Sequence, residues 1–253
     1  MRSITPVKRV LRACTAAAFW LIVWQVCALL VGRELILPAP LTVLERLGVL
    51  AKTGAFWQTA LASLWRIVIG LAWGTAAGVA LAVLTSASRW ADTLLSPAIR
   101  VVRSTPVASF ILLVLLWTTR GAVPPVISGL MVLPVVWENV RRGIAQCDPK
   151  LLELARACRF SRWKTARLVY LPAALPHFFS ALTTAAGLAW KSGVAAEVLC
   201  LPRPAIGTQI YETKLYLETP DLFAWTLTVI ALSLVLERLV RLLLRRAGEG
   251  AAA

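Results

Sequence analysis

Long apolar runs separated by short stretches rich in Lys and Arg constrain this chain more than any other feature of it. The run Ala13–Val31 contains no charged residue, and a helix of about 20 residues crosses the ~30 Å hydrocarbon core of a bilayer. Further runs follow at about 60–85, 106–118, 122–136, 176–199 and 222–244. The sequence therefore predicts an all-α membrane protein of about six transmembrane helices. Composition agrees, since 59% of the 253 residues are hydrophobic and 15% charged, where soluble domains run near half apolar and a quarter charged. A basic start (Arg2, Lys8, Arg9, Arg12) ahead of an apolar run is also how a signal peptide opens. This run is longer than a typical signal core and no A-x-A site follows it, so it reads as an uncleaved first helix.

Between the first two runs lies a more polar segment, 33–59, with Leu37-Pro38-Ala39-Pro40 and the amphipathic piece Leu41–Leu50. The second run carries Gly70, Gly74 and Gly78, small residues of the kind that let membrane helices approach closely. The third run is short, and spans only by extending toward Arg103 or borrowing from Arg120-Gly121. The fourth is punctuated by Pro124, Pro125 and Pro134.

Orientation follows from the basic residues. With the N-terminus inside, nineteen of the 27 Lys and Arg residues fall at the start, in 86–105, in 138–171 and at the end, against six in outer segments. That bias puts both termini in the cytoplasm of a multi-pass bacterial inner-membrane protein. The net charge of +15 is thus topological, and no basic soluble module remains to bind nucleic acid. Cys14, Cys27, Cys147, Cys158 and Cys200 show no C-x-x-C pair, and His177 is the only histidine, so neither a disulfide framework nor a metal site is expected.

The 138–171 loop has a structure of its own. Asp148-Pro149 is a helix start, with Asp as N-cap and Pro at the first helical position, and Leu151, Leu152, Ala155 and Cys158 recur at helical spacing. Ser161 caps a second short helix with Trp163, Ala166, Val169 and Tyr170 as its apolar positions, and Pro172 ends it. Two short amphipathic helices at a cytoplasmic face suit a groove on a soluble partner and equally suit the inner leaflet.

Glu153-Leu154-Ala155, Ser161-Arg162-Trp163 and Leu171-Pro172-Ala173-Ala174-Leu175-Pro176 resemble the EAA loop of ABC importer permeases, and most closely the branch for nitrate, sulfonate, taurine and bicarbonate. Leu37-Pro38-Ala39-Pro40, Ser63-Leu64-Trp65-Arg66 with Gly70, Arg103-Ser104-Thr105-Pro106 and Ala195-Ala196-Glu197 extend the likeness from about residue 37 to 246. The resemblance implies the transmembrane domain of a type I importer, working as a homodimer with a cytoplasmic ATPase and an external solute-binding protein. It implies that Glu153, Ala155, Arg159, Ser161, Trp163, Leu171 and Pro172 couple to the ATPase. It also implies that the fifth helix, with Trp190, Lys191 and Glu197, lines the translocation path. One departure stands out: where the family has a glycine six residues after the glutamate, this chain has Arg159. Glycine would allow a φ > 0 turn there at little cost, and arginine would be strained unless the chain turns differently.

No G-x-x-x-x-G-K-[ST] sequence is present, so ATP and its Mg are left to the partner ATPase, and no cofactor or catalytic residue is expected in this chain. Charges inside the spans are functional candidates by default. Arg66 sits near the outer end of the second run, where it snorkels to the headgroups. Lys191 either faces an anion across a homodimer path or reaches an interface or a carboxylate partner. Glu197, six positions on and about 240° around the helix from Lys191, reads as an outer gate or a structural contact.

The expected organisation is a basic cytoplasmic start (1–12), one permease domain (13–246) whose coupling loop is 138–171, and a disordered tail (247–253). The expected function is import of a small, anionic solute of the sulfonate, taurine or nitrate class. A thiamine or riboflavin precursor on the same architecture, or a secondary transporter without an ATPase, are the alternatives. The last would call for inverted repeats or broken helices at matching positions.

Overall fold

The computed structural model describes residues 6–251, and side chains for residue 12 and for 14–246. Residues 1–5 of the basic start and 252–253 of the tail lie outside the described residues. Among those described, the chain forms α1 (Pro6–Val31), α2 (Pro40–Ala51), α3 (Gly54–Ala87), α4 (Arg89–Ser104), α5 (Val107–Trp117), α6 (Val123–Ala145), α7 (Pro149–Ala157), α8 (Arg162–Thr165), α9 (Leu171–Cys200), α10 (Ile206–Leu215) and α11 (Thr219–Ala251), with a π-helical turn, Ala166–Tyr170, between α8 and α9. No strand occurs among them.

The runs at 13–31, 60–85, 122–136, 176–199 and 222–244 fall in α1, α3, α6, α9 and α11. Four of the described helical stretches are long and apolar enough to cross a membrane: α1, α3, α6 and the continuous stretch Arg162–Cys200. A fifth span results if α4 and α5 count as one bent pair.

The expectation for 106–118 needs correction. Only 11 residues, α5, are helical there, about 16 Å at 1.5 Å per residue, and α5 meets α4 at 108°. Pro106 is the cause: it biases the preceding residue away from helical backbone, and Thr105 is extended at φ −78, ψ 133. One helix stops and another starts in a new direction.

The chain divides into two compact units, 1–58 with 209–229, and 59–208 with 230–253. In the first, the Trp24 indole N–H donates to the Pro38 carbonyl at 3.1 Å, and the ring stacks on Phe223 at 5.9 Å. Arg46 reaches both carboxylate oxygens of Asp221 at 2.5 and 2.6 Å, the planar fork geometry that strengthens such a pair.

In the second unit α3 runs close against α6. A Cβ at Gly74 would lie 2.5 Å from the Gly129 carbonyl oxygen, so only a residue without a side chain permits this approach. The Trp73 indole N–H donates to the Pro125 carbonyl at 3.0 Å, and the Ser128 hydroxyl donates to the Ala189 carbonyl of α9 at 3.1 Å. Ile111, Val114, Val123, Ile127, Ala196 and Cys200 form a core joining α5, α6 and α9.

Candidate coupling loop and buried charge node

α7 starts as its sequence predicts. The Asp148 side chain accepts the Lys150 N–H at 2.9 Å, and Pro149 occupies the first turn. Its end is the unusual part. Arg159 adopts φ 51, in the left-handed region. The Arg159 N–H donates to the Arg156 carbonyl at 3.0 Å, and the Phe160 N–H to the Ala155 carbonyl at 2.9 Å. That pair of bonds is a Schellman closure, whose left-handed position is usually glycine. The chain thus keeps the turn a glycine would make, and Arg159 carries strain of about 1 kcal/mol. Phe160 supplies the apolar contact that accompanies such a cap, packing on the small core of Cys147, Ala155 and Val169. The Lys164 ammonium lies 4.3 Å over its ring.

Ser161 then caps the returning helix, accepting the Lys164 N–H at 3.2 Å. This helix does not end at Pro172, contrary to the sequence expectation; it runs on from Arg162 to Cys200. In an α-helix Pro172 would offer no N–H to the Leu168 carbonyl and would crowd it. The turn before it is widened instead, with the Leu171 N–H reaching the Ala166 carbonyl in a π-type bond. A single π turn thus absorbs the proline without a break.

Of the residues assigned to coupling, Glu153, Arg159, Ser161, Trp163, Leu171 and Pro172 are exposed. Ala155 is 3% exposed and lies in the loop's small core, where it holds the loop's shape. Leu154, next to Glu153 in the chain, and Trp163 and Leu168 are exposed too. Helical spacing alone did not single out Leu154 and Leu168. A short loop that presents a carboxylate and several large apolar side chains to solvent is able to enter a groove on another protein.

A second cluster lies within the same unit. The Ser63 hydroxyl donates to Glu197 Oε2 at 2.8 Å and accepts the Ile206 N–H at 2.9 Å. The Gly207 N–H donates to the same Oε2 at 3.1 Å. Arg66 Nη1 stands 3.5 Å from Glu197 Oε1 and donates to the Pro204 carbonyl at 2.6 Å. Side chains of α3 and α9 thereby satisfy two of the orphan N–H groups that open α10, with the carboxylate at the positive end of that helix.

The snorkelling expected of Arg66 is therefore corrected. Its side chain is 18% exposed and turned toward a fully enclosed Glu197, because a buried carboxylate is costly unless a cation and hydrogen bonds meet it. The fragments Ser63–Arg66 and Ala195–Glu197, far apart in sequence, meet at this node. Trp190, at 1% exposure, is likewise enclosed. Lys191 is not: it is exposed on α9, in line with Ser180, Thr184 and Ala195. The three residues assigned to the path are thus not gathered at one point within the chain.

Against known proteins, the profile of the family described as "Binding-protein-dependent transport system inner membrane component" matches residues 70–249. An aliphatic sulfonates transport permease protein of Bacillus subtilis is 27% identical over 226 residues, covering 88% of this chain and 82% of that protein. A taurine transport system permease protein of Escherichia coli is 26% identical over 238 residues, covering 92% and 86%. Among solved structures, a bacterial ABC transporter involved in the import of the acidic polysaccharide alginate matches with a TM-score of 0.64 at 16% identity, over 94% of this chain and 98% of that one.

Proposed function

This chain belongs to the family of binding-protein-dependent transport system inner membrane components, and from that premise we propose that it imports a small anionic solute of the sulfonate, taurine or nitrate class as the permease of an ATP-driven importer. It is an inner-membrane transport subunit, and the family works with an ATPase and a solute-binding protein. In the proposed mechanism a cytoplasmic ATPase dimer closes on ATP, the 138–171 loop transmits the motion, and paired permeases open outward to receive solute. Residues 33–59 and 200–221 form the docking face for the binding protein. The full complement is six spans per chain, with α11 as one and α5, lengthened by the turn at Arg120-Gly121, as another, and two chains per transporter.

The observation that carries this reading is the folded coupling loop: two helices closed by a Schellman turn, presenting Glu153, Leu154, Trp163 and Leu171 outward. Lys191 supports an anionic solute. The exposed face of α3 is apolar (Leu61, Trp65, Ile69, Ala72, Ala76), as lipid contact requires, whereas α9 exposes Ser180, Thr184 and Lys191. A lysine held against lipid at mid-span costs about 2.5–3.5 kcal/mol or more, a cost removed if α9 faces a watery path shared with a second copy. A thiamine or riboflavin precursor remains the competing solute, since solute choice rests largely with the binding protein.

The test is a tagged purification from the native membrane in mild detergent. Recovery of a P-loop ATPase with ATP hydrolysis in the eluate is the expected result. A chain that purifies alone in several detergents would support a secondary transporter and overturn the proposal.

A further inference from the structure

α4 sorts its side chains into two opposed faces. Ser96 and Ile99 are buried at 3% and 5%. Arg141 of α6 pairs with Asp92 at 2.7 Å and donates to the Ser96 hydroxyl at 3.2 Å, and Arg103 pairs with Glu138 of α6. These contacts fix one side of α4 to the cytoplasmic end of α6 and neutralise both carboxylates. On the other side Trp90, Leu94 and Val101 are exposed at 81%, 72% and 61%, with Pro97 and Ala98 exposed between them. At about 100° per residue all five fall within roughly 100° of arc. Arg89 and Arg100 are exposed and flank this apolar stripe along one edge. Among the described residues neither takes part in an ion pair.

The 108° bend turns α4 across the direction of α5. If α5 points into the bilayer, α4 lies along its surface. The Lys and Arg bias places 86–105 on the cytoplasmic side, where anionic lipid gives the leaflet a negative potential. We propose that α4 is an in-plane anchor in the inner leaflet that binds anionic phospholipid, with Trp90, Leu94 and Val101 in the acyl boundary and Arg89 and Arg100 at the headgroup phosphates. A helix with one apolar exposed stripe, a tryptophan in it and cations along its border is built for that boundary. The anchor depends on the orientation of α4 and not on transport, so each fails separately.

The full chain is placed in nanodiscs of phosphatidylcholine with and without phosphatidylglycerol, and the lipids it retains on extraction are counted by native mass spectrometry. Wild type retains phosphatidylglycerol preferentially. Arg89→Gln with Arg100→Gln lowers that preference about twenty- to thirtyfold, as two surface cations near an anionic leaflet imply. In nanodiscs with brominated acyl chains, the fluorescence difference between wild type and Trp90→Phe is quenched. An unchanged preference in the double variant overturns the proposal. So does an unquenched Trp90 that becomes shielded on adding the ATPase, which makes the stripe a protein-docking face.

Discussion

Arg159 is where sequence and structure press hardest on one another. The sequence shows that a glycine is missing; it does not show whether the turn is lost with it. The turn survives, because the two backbone bonds and the Phe160 contact outweigh the left-handed penalty at one residue. Arg159→Gly removes that penalty, so the loop should become more stable by about 1 kcal/mol. Thermal unfolding of the purified permease reads this directly. A raised midpoint for glycine and none for Arg159→Ala, which keeps the Cβ, is the expected pattern; equal midpoints for all three would show that the turn stores no strain. Glu197 teaches the complementary lesson. Its helix position was legible, and so was the presence of Arg66, but their meeting was not. A pairing between distant segments carries no local signature, and snorkelling is the cheaper guess for any arginine near a span end.

At the scale of elements, four apolar runs fall in helices long and apolar enough to cross a membrane, α1, α3, α6 and the stretch ending in α9, since length and hydrophobicity alone decide whether a segment suits lipid; the run at 222–244 is helical, in α11. Both failures came from prolines. Pro106 stopped the third run from extending toward Arg103 and left a helix of 11 residues, whereas Pro172, expected to end a helix, was absorbed by a π turn. One proline lies at a sharp change of direction and the other beside a turn able to widen, a difference set by tertiary packing. The glycines of α3 were legible as a close-packing signal, though the partner helix was not. Gly74→Val should force α3 and α6 apart, since its Cβ meets backbone rather than a flexible side chain. Reduced yield of folded permease by size-exclusion chromatography, with near-normal yield for the exposed Ala76→Val, is the expected contrast. Equal yields would mean that α3 and α6 do not need this contact.

For the whole molecule, fold class and membership were readable because the apolar runs are long enough to suit lipid and the EAA-like segment is specific. What the sequence withheld was the distribution of roles: Ala155 shapes the loop from within, and Trp190 and Glu197 are enclosed, while Lys191 alone faces outward. In the proposed homodimer, Lys191→Ala should lower uptake of an anionic solute several-fold with assembly intact, since only the charge lining the path is removed. Normal uptake in proteoliposomes would return Lys191 to a purely structural role.

In the proposed transporter, ATP hydrolysis reaches the permease only through the coupling loop. The decisive measurement is solute-stimulated ATP hydrolysis by the reconstituted transporter, wild type against Glu153→Lys. Glu153 is exposed on α7 and has no ion-pair partner among the described residues, so its reversal leaves the chain folded and changes only what the loop presents. The expected result is loss of stimulated hydrolysis, or of the ATPase itself, with membrane insertion unchanged. Full stimulation in the variant would contradict the assignment of this loop as the point where ATP is coupled to transport.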